Sequence, residues 1–177
     1  AAGAPASYAA AVRRATPAVV NIYTRKVIRR PYNPLFDEPV FQRLFRRGTA
    51  PQRERIQRSL GSGVIMSDDG YLPTNNHVIA GAREILVQLA DGRDAMATVI
   101  GTDPDTDLAV LDIDLPQLQP IPVGNPEAAD VGDVVLAIGN PYGFGQSVSQ
   151  GIISATGRFG LQLNAYENYI QTDAAIN

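Results

Sequence analysis

The feature that constrains this chain most is its punctuation. Short runs rich in β-branched residues recur along it, separated by Asp-Gly pairs, glycines and prolines rather than by helical stretches. AVVNIYT (18–24) comes first. GSGVIMS (61–67), YLPTN (71–75), EILVQLA (84–90), DAMATVIGT (94–102), LAVLDID (108–114), DVVLAIG (133–139), SVSQGIISATG (147–157) and NYIQTDA (168–174) follow, and each reads as a strand. Asp68-Asp69-Gly70 and Asp91-Gly92 stand between alternating apolar runs, where glycine supplies the positive φ that tight hairpins demand. The only helical pattern is SYAAAVRRAT (7–16), with Ser7 as the expected N-cap and Pro17 as its stop. Strands that do not alternate with helices cannot build a parallel βαβ sheet. The expected class is therefore all-β, a sandwich or a barrel.

Residues 115–132 (LPQLQPIPVGNPEAADVG) carry four prolines and read as the connection between two β units. The division that follows is 1–114 for the N-terminal helix, a basic loop and a first barrel, 115–132 for the connection, and 133–177 for part of a second. Pro73 interrupts YLPTN, and because proline cannot donate to a ladder, an edge or bulged strand is expected there. No apolar run approaches the roughly 20 residues that span a bilayer, so the expectation is a soluble chain, with room for an anchor or leader upstream. Cysteine is absent, which excludes disulfides, zinc–thiolate sites and cysteine nucleophiles.

Charge is unevenly placed. Residues 1–58 hold 11 Arg and one Lys against Asp37, Glu38 and Glu54, whereas 59–177 hold three Arg against 15 acids. Most of the basic excess lies in 25–58, at Arg29-Arg30, Arg46-Arg47, Arg53, Arg55 and Arg58, with Phe36, Phe41 and Phe45 between them. Such a stretch can be a solvated loop or can meet phosphates and anionic lipid. The acidity of the remaining chain argues against nucleic acid as a partner.

His77 is the only histidine, so no histidine-rich metal centre can form. It directly follows a strand, where the chain enters a loop or short helix. Asp107 stands at the entry of another, thirty residues later. An imidazole acting as general base needs a carboxylate on its far nitrogen to hold the tautomer and stabilise the imidazolium. A barrel can bring these two residues together, but spacing alone also fits a surface histidine and a solvated aspartate. Ser62, between Gly61 and Gly63, opens a strand and lacks the G-x-S-x-G elbow of a nucleophile. Ser147, Ser149 and Ser154 read as the polar face of a strand.

Taken together, LGSGVIMSDDGYLPTNNHVI, GTDPDTDLAVLDI, VGDVVLAIGNPYGFGQSVSQGIISATGR and YIQTDAAIN resemble, in order, the HtrA (Deg) serine proteases of the chymotrypsin-like class. The arrangement resembles that family's stress-sensor branch, the DegS and AlgW type. The resemblance implies two perpendicular six-stranded β-barrels, the first complete here and the second partial, with the active site between them. It makes His77 the general base and Asp107 its orienting acid. The nucleophile is then a serine in a Gly-Asn-Ser-Gly-Gly motif beyond residue 177, and no cofactor or metal is called for.

The same resemblance implies an activation cluster of Arg158, Tyr142 and Gln171 with Asp103 of a neighbouring subunit. It further implies a homotrimer, a periplasmic location with an inner-membrane tether, and an activating C-terminal peptide received by a PDZ domain outside this chain. The expected substrate is a membrane-bound regulatory protein such as an anti-sigma factor. The competing expectation is a barrel that binds peptides or surfaces without hydrolysing them. A paired imidazole and carboxylate separates the two, because a binding module has no use for one.

Overall fold

A computed structural model describes residues 7–28, 55–139, 147–158 and 168–176. The arginines and phenylalanines of 29–54, and Tyr142, lie outside the described residues.

Among the described residues two helices and ten strands follow in order. They are α1 (Ala9–Ala15), β1 (Val19–Ile28), β2 (Arg55–Val64), β3 (Tyr71–Asn75), α2 (Asn76–Ile79), β4 (Glu84–Gln88), β5 (Asp94–Met96), β6 (Thr98–Asp103), β7 (Leu108–Asp112), β8 (Val134–Gly139), β9 (Ser147–Arg158) and β10 (Tyr169–Thr172). The short 3₁₀ turns Thr16–Ala18 and Pro126–Ala128 also lie among the described residues. Among the described residues no helix is long and apolar enough to cross a membrane.

Seven strands form one antiparallel sheet in the order β5-β4-β1-β2-β3-β7-β6. Alternation along them sends Val20, Ile22 and Thr24 of β1, Leu72 and Thr74 of β3, Ile85 and Val87 of β4, and Ala109 and Leu111 of β7 to one buried side. Ile65, Ile113 and Leu118 join that core from the connecting segments. The two margins of this sheet, β5 and β6, are successive pieces of one run. The sheet therefore curls round, and residue 97 links its edges. The expected single strand over 94–102 thus divides in two: β5 pairs with β4 and β6 with β7, while the Ala97 N–H donates to Ile85 O at 2.8 Å. Curvature of the whole sheet causes the break, because a straight strand cannot serve both edges.

Other boundaries also moved. β1 and β2 pair from Val19↔Val64 out to Ile28↔Arg55, so both ends of the expected 25–58 loop are strand. Ser7 does not cap α1. Tyr8 holds the N-cap position, and the Ser7 hydroxyl instead accepts the Ala9 N–H at 3.2 Å. Pro73 is not on an edge, for β3 lies between β2 and β7. Its register with β7 runs unbroken, whereas toward β2 the pairing reduces to Gly63↔Thr74. There the Thr74 hydroxyl donates to Ser62 O at 2.8 Å, a side-chain bond where the ladder is thin.

The second sheet is β10-β9-β8, also antiparallel. Its connection to the first is anchored by Leu118, which is buried, and by Ile121 N–H donating to Ile65 O at 2.9 Å. Arg93 secures the same stretch from the β4–β5 turn, donating to the carbonyls of Pro116 and Gln117.

The turn between β2 and β3 is closely fitted. Gly70 has φ of 105°, and a Cβ there would run into the carbonyl oxygen of Ile113. Gly92 has φ of 90° with nothing within 4 Å of such a Cβ. A side chain in the left-handed half of φ/ψ space costs about 1–2 kcal/mol by itself. Gly70→Ala is therefore expected to lower the thermal midpoint well beyond Gly92→Ala, which carries the backbone cost alone. Calorimetry on the two variants checks this, and equal shifts would contradict it.

Candidate active site

The site begins with strand register. β3 and β7 pair from Tyr71↔Asp112 to Asn75↔Leu108. The residues just after Asn75 and just before Leu108 are therefore neighbours, whatever their separation in sequence. The Asn76 N–H donates to Asp107 O at 3.0 Å and extends the pairing by one step. At that point the chain turns into α2, a single turn whose Val78 and Ile79 are buried in the core. Burying those two residues aims His77 outward.

His77 Nδ1 lies 2.7 Å from Asp107 Oδ2. Asp107 Oδ1 accepts the backbone N–H of the same histidine at 2.9 Å, so one carboxylate grips both ring and main chain. An ionised carboxylate only accepts, so Nδ1 carries the proton, and in the neutral ring Nε2 is then the nitrogen with the lone pair. The His77 side chain is 71% exposed and that of Asp107 26%. The far edge of the ring is thus open, while the carboxylate is partly sheltered. Asp107 itself has φ of 56°, a left-handed conformation that aspartate tolerates better than most residues.

Sequence reasoning missed Asn75. Its amide nitrogen donates to Asp107 Oδ2 at 3.2 Å and to Asp107 O at 3.3 Å, joining side chain and backbone of the acid. A polar residue at the last position of a strand, two before a lone histidine, is the signal that was available. An open cleft of about 220 Å³ lies alongside, lined by Ser62, Pro73, Thr74, Asn75, Leu108 and Ile138. Ile138 comes from β8, so the second sheet contributes to this cleft. Ser62 lies on its wall with its carbonyl engaged by Thr74. A hollow of about 260 Å³ around Pro17, Asp91, Arg93 and Gln117 is not lined by Asn75 or Leu108, the strand ends beside the dyad.

The remaining candidates are not all gathered. Asp103 ends β6 on the first sheet, four residues before Asp107, and is exposed. Arg158 ends β9 opposite Tyr169, and Gln171 of β10 faces Ala155, so these two sit on adjacent strands of the second sheet. Among the described residues no cluster of three His, Asp or Glu side chains is arranged to hold a metal ion.

Partial burial pushes the Asp107 carboxyl toward a higher pKa. Against it act the His77 backbone N–H, the ring hydrogen bond, the charge of the imidazolium and the Asn75 amide, and together they hold the group below its ordinary value. The stabilisation from these bonds is present above the unfolded carboxyl's pKa of about 3.9 and is lost as pH falls through the lower folded value. On acidification the Asp107 side-chain carboxyl resonance should take its protonation step below the range of an ordinary aspartate. Asn75→Ala removes a donor and should raise that midpoint. NMR titration reads both, and an unchanged midpoint would deny Asn75 its part.

The arrangement resembles known proteins along nearly its whole length. Residues 61–177 match the model of a family described as a trypsin-like peptidase domain. The chain is 49% identical over 174 residues to the serine endoprotease DegS of Salmonella typhimurium, covering 98% of this chain and 43% of that protein. Over 180 residues it is 44% identical to the "Probable periplasmic serine endoprotease DegP-like" of Pseudomonas putida, covering 94% of this chain and 38% of that one. A solved structure of a serine-to-alanine variant of the HtrA-type protease AlgW, with decapeptide, superposes with a TM-score of 0.84 at 56% identity. That match covers 97% of this chain and 52% of the other. The chain thus spans less than half the length of these curated relatives.

Proposed function

This chain belongs to the trypsin-like peptidases of the HtrA family, and from that premise we propose that the protein containing it is a periplasmic serine endopeptidase with His77 as general base and Asp107 as its orienting acid. One observation carries the reading: the 2.7 Å contact between Nδ1 and a carboxylate that also binds the histidine's own N–H. The nucleophile in this proposal is a serine beyond residue 177, as in the family resemblance.

In that scheme Nε2 removes the proton of the serine hydroxyl as its oxygen attacks the peptide carbonyl. The imidazolium so formed is stabilised by Asp107 through Nδ1–H, and Nε2 then returns the proton to the leaving amine. The carboxylate stays ionised throughout, in keeping with its depressed pKa. Its second oxygen is held by the backbone, so the ring cannot swing away when the charge appears. A module that merely binds peptides gains nothing from this pairing.

The finer reading follows the DegS and AlgW resemblance. The enzyme senses envelope stress, assembles as a homotrimer near an inner-membrane tether, and cuts a membrane-bound regulatory protein such as an anti-sigma factor. A C-terminal peptide received by a PDZ domain activates it through Arg158, Tyr142, Gln171 and Asp103 of a neighbour. The solved relatives were captured with a decapeptide and a tripeptide, which supports a peptide-responsive enzyme.

Asp107→Asn in the complete protein should lower kcat about 10⁴-fold, because the amide favours the wrong imidazole tautomer. Asparagine also tolerates positive φ, so the thermal midpoint should change little. Peptide cleavage and melting measured on the same samples test this, and retained activity would refute the assignment. Arg158→Ala should reduce peptide-stimulated cleavage while the unstimulated rate stays unchanged. Full stimulation in that variant would remove Arg158 from the activation cluster.

A further inference from the structure

Asp107 reaches His77 from an unusual backbone conformation, and something must hold it there. β6 and β7 form a hairpin whose last pair is Asp103↔Leu108, leaving Pro104, Asp105, Thr106 and Asp107 as the turn. Inside that turn Asp103 spends both carboxylate oxygens on its own loop. Oδ1 accepts the Asp105 N–H at 3.1 Å, and Oδ2 accepts the Thr106 hydroxyl at 2.9 Å. The Asp107 N–H then donates to Pro104 O at 3.3 Å, closing the turn with Asp107 at φ of 56°.

We propose that Asp103 is a positioning residue for the catalytic dyad: by tying down Asp105 and Thr106 it holds the turn that presents the Asp107 carboxylate to His77. The inference rests on the function proposed above and assigns Asp103 a task within its own subunit, distinct from contact with a neighbour. The physical argument is one of competing conformations. Aspartate tolerates the left-handed region better than most residues, yet it stays there reliably only when its surroundings favour it. Aspartate side chains that accept from the backbone two residues on are the usual means of fixing such a turn. Relaxing φ at position 107 would swing a carboxylate that now makes three hydrogen-bonding contacts, two with His77 and one with Asn75. The ionisable groups around the turn are Asp103, Asp105 and Asp107 within it and His77 from α2. Loosening the turn therefore weakens the one partner that stabilises the imidazolium.

The test uses the complete protein and two readouts. In the pH profile of kcat/KM for a peptide substrate, the acid limb reports the pKa of the free enzyme's base. Asp103→Ala should move that limb about half a unit to lower pH and reduce kcat roughly tenfold, with KM unchanged. Asp103→Asn keeps an acceptor for the Asp105 N–H and should recover most of both. Direct NMR titration of the His77 imidazole, assigned against His77→Ala, should show the same downward shift. A substitution that merely unfolded part of the population would lower the rate without moving either pKa. An unshifted limb and an unshifted imidazole, or an effect confined to peptide stimulation, would overturn the proposal. If the wild-type protein cuts no peptide, the proposed function fails, while the titration still decides the role of Asp103.

Discussion

Everything at the candidate site depends on the antiparallel register of β3 with β7. Pairing Asn75 with Leu108 makes the chain leaving β3 and the chain entering β7 adjacent, so His77 and Asp107 meet as a consequence of sheet geometry. The register is held by what it buries. Leu72 and Thr74 on one strand and Ala109 and Leu111 on the other point into the core, and a slip of one residue would expose them all. Leu72 and Leu111 are 0% exposed, which leaves the core no room for such a slip. Hydrophobic burial, acting some distance from the polar groups, thereby brings the imidazole and the carboxylate within hydrogen-bond reach.

Around that bond the polar groups are organised to hold an acid rather than to hide it. Asp107 is only partly covered, yet it receives donors from the His77 main chain, the imidazole and Asn75. The histidine is anchored on one side through Nδ1 and the backbone and left open on the other. Such asymmetry suits proton transfer, where one nitrogen must be fixed and the other must meet a reacting group. The second sheet reaches this neighbourhood through Ile138, placing the cleft where the two β units approach each other.

Much of this was legible beforehand, and the misses have physical reasons. Alternating apolar residues and Asp-Gly turns identify the strands, because period-2 burial and positive φ are local demands. The one strand over 94–102 was misjudged because its break at Ala97 serves closure of the sheet, a requirement no local window contains. Pro73 suggested an edge or bulged strand, since the chain alone does not reveal which side of a strand has few ladder bonds to lose. Asn75 escaped notice because its amide acts on a residue thirty-two positions away. Resemblance to the HtrA family singled out His77 and Asp107 as candidates where spacing by itself left them undecided.

The amino-acid order by itself determined that the chain is β, where its turns fall, and that its only histidine stands at a strand end with an aspartate at another strand's start. These are properties of neighbouring residues, and short-range sterics and burial period are enough to specify them. Only the tertiary structure decided that the two ends are paired, that Asp107 takes a left-handed backbone, and that both of its oxygens are engaged by the same histidine. Those outcomes arise from distant strands sharing one core, and the energy that selects among pairings belongs to the packed barrel rather than to any segment of it.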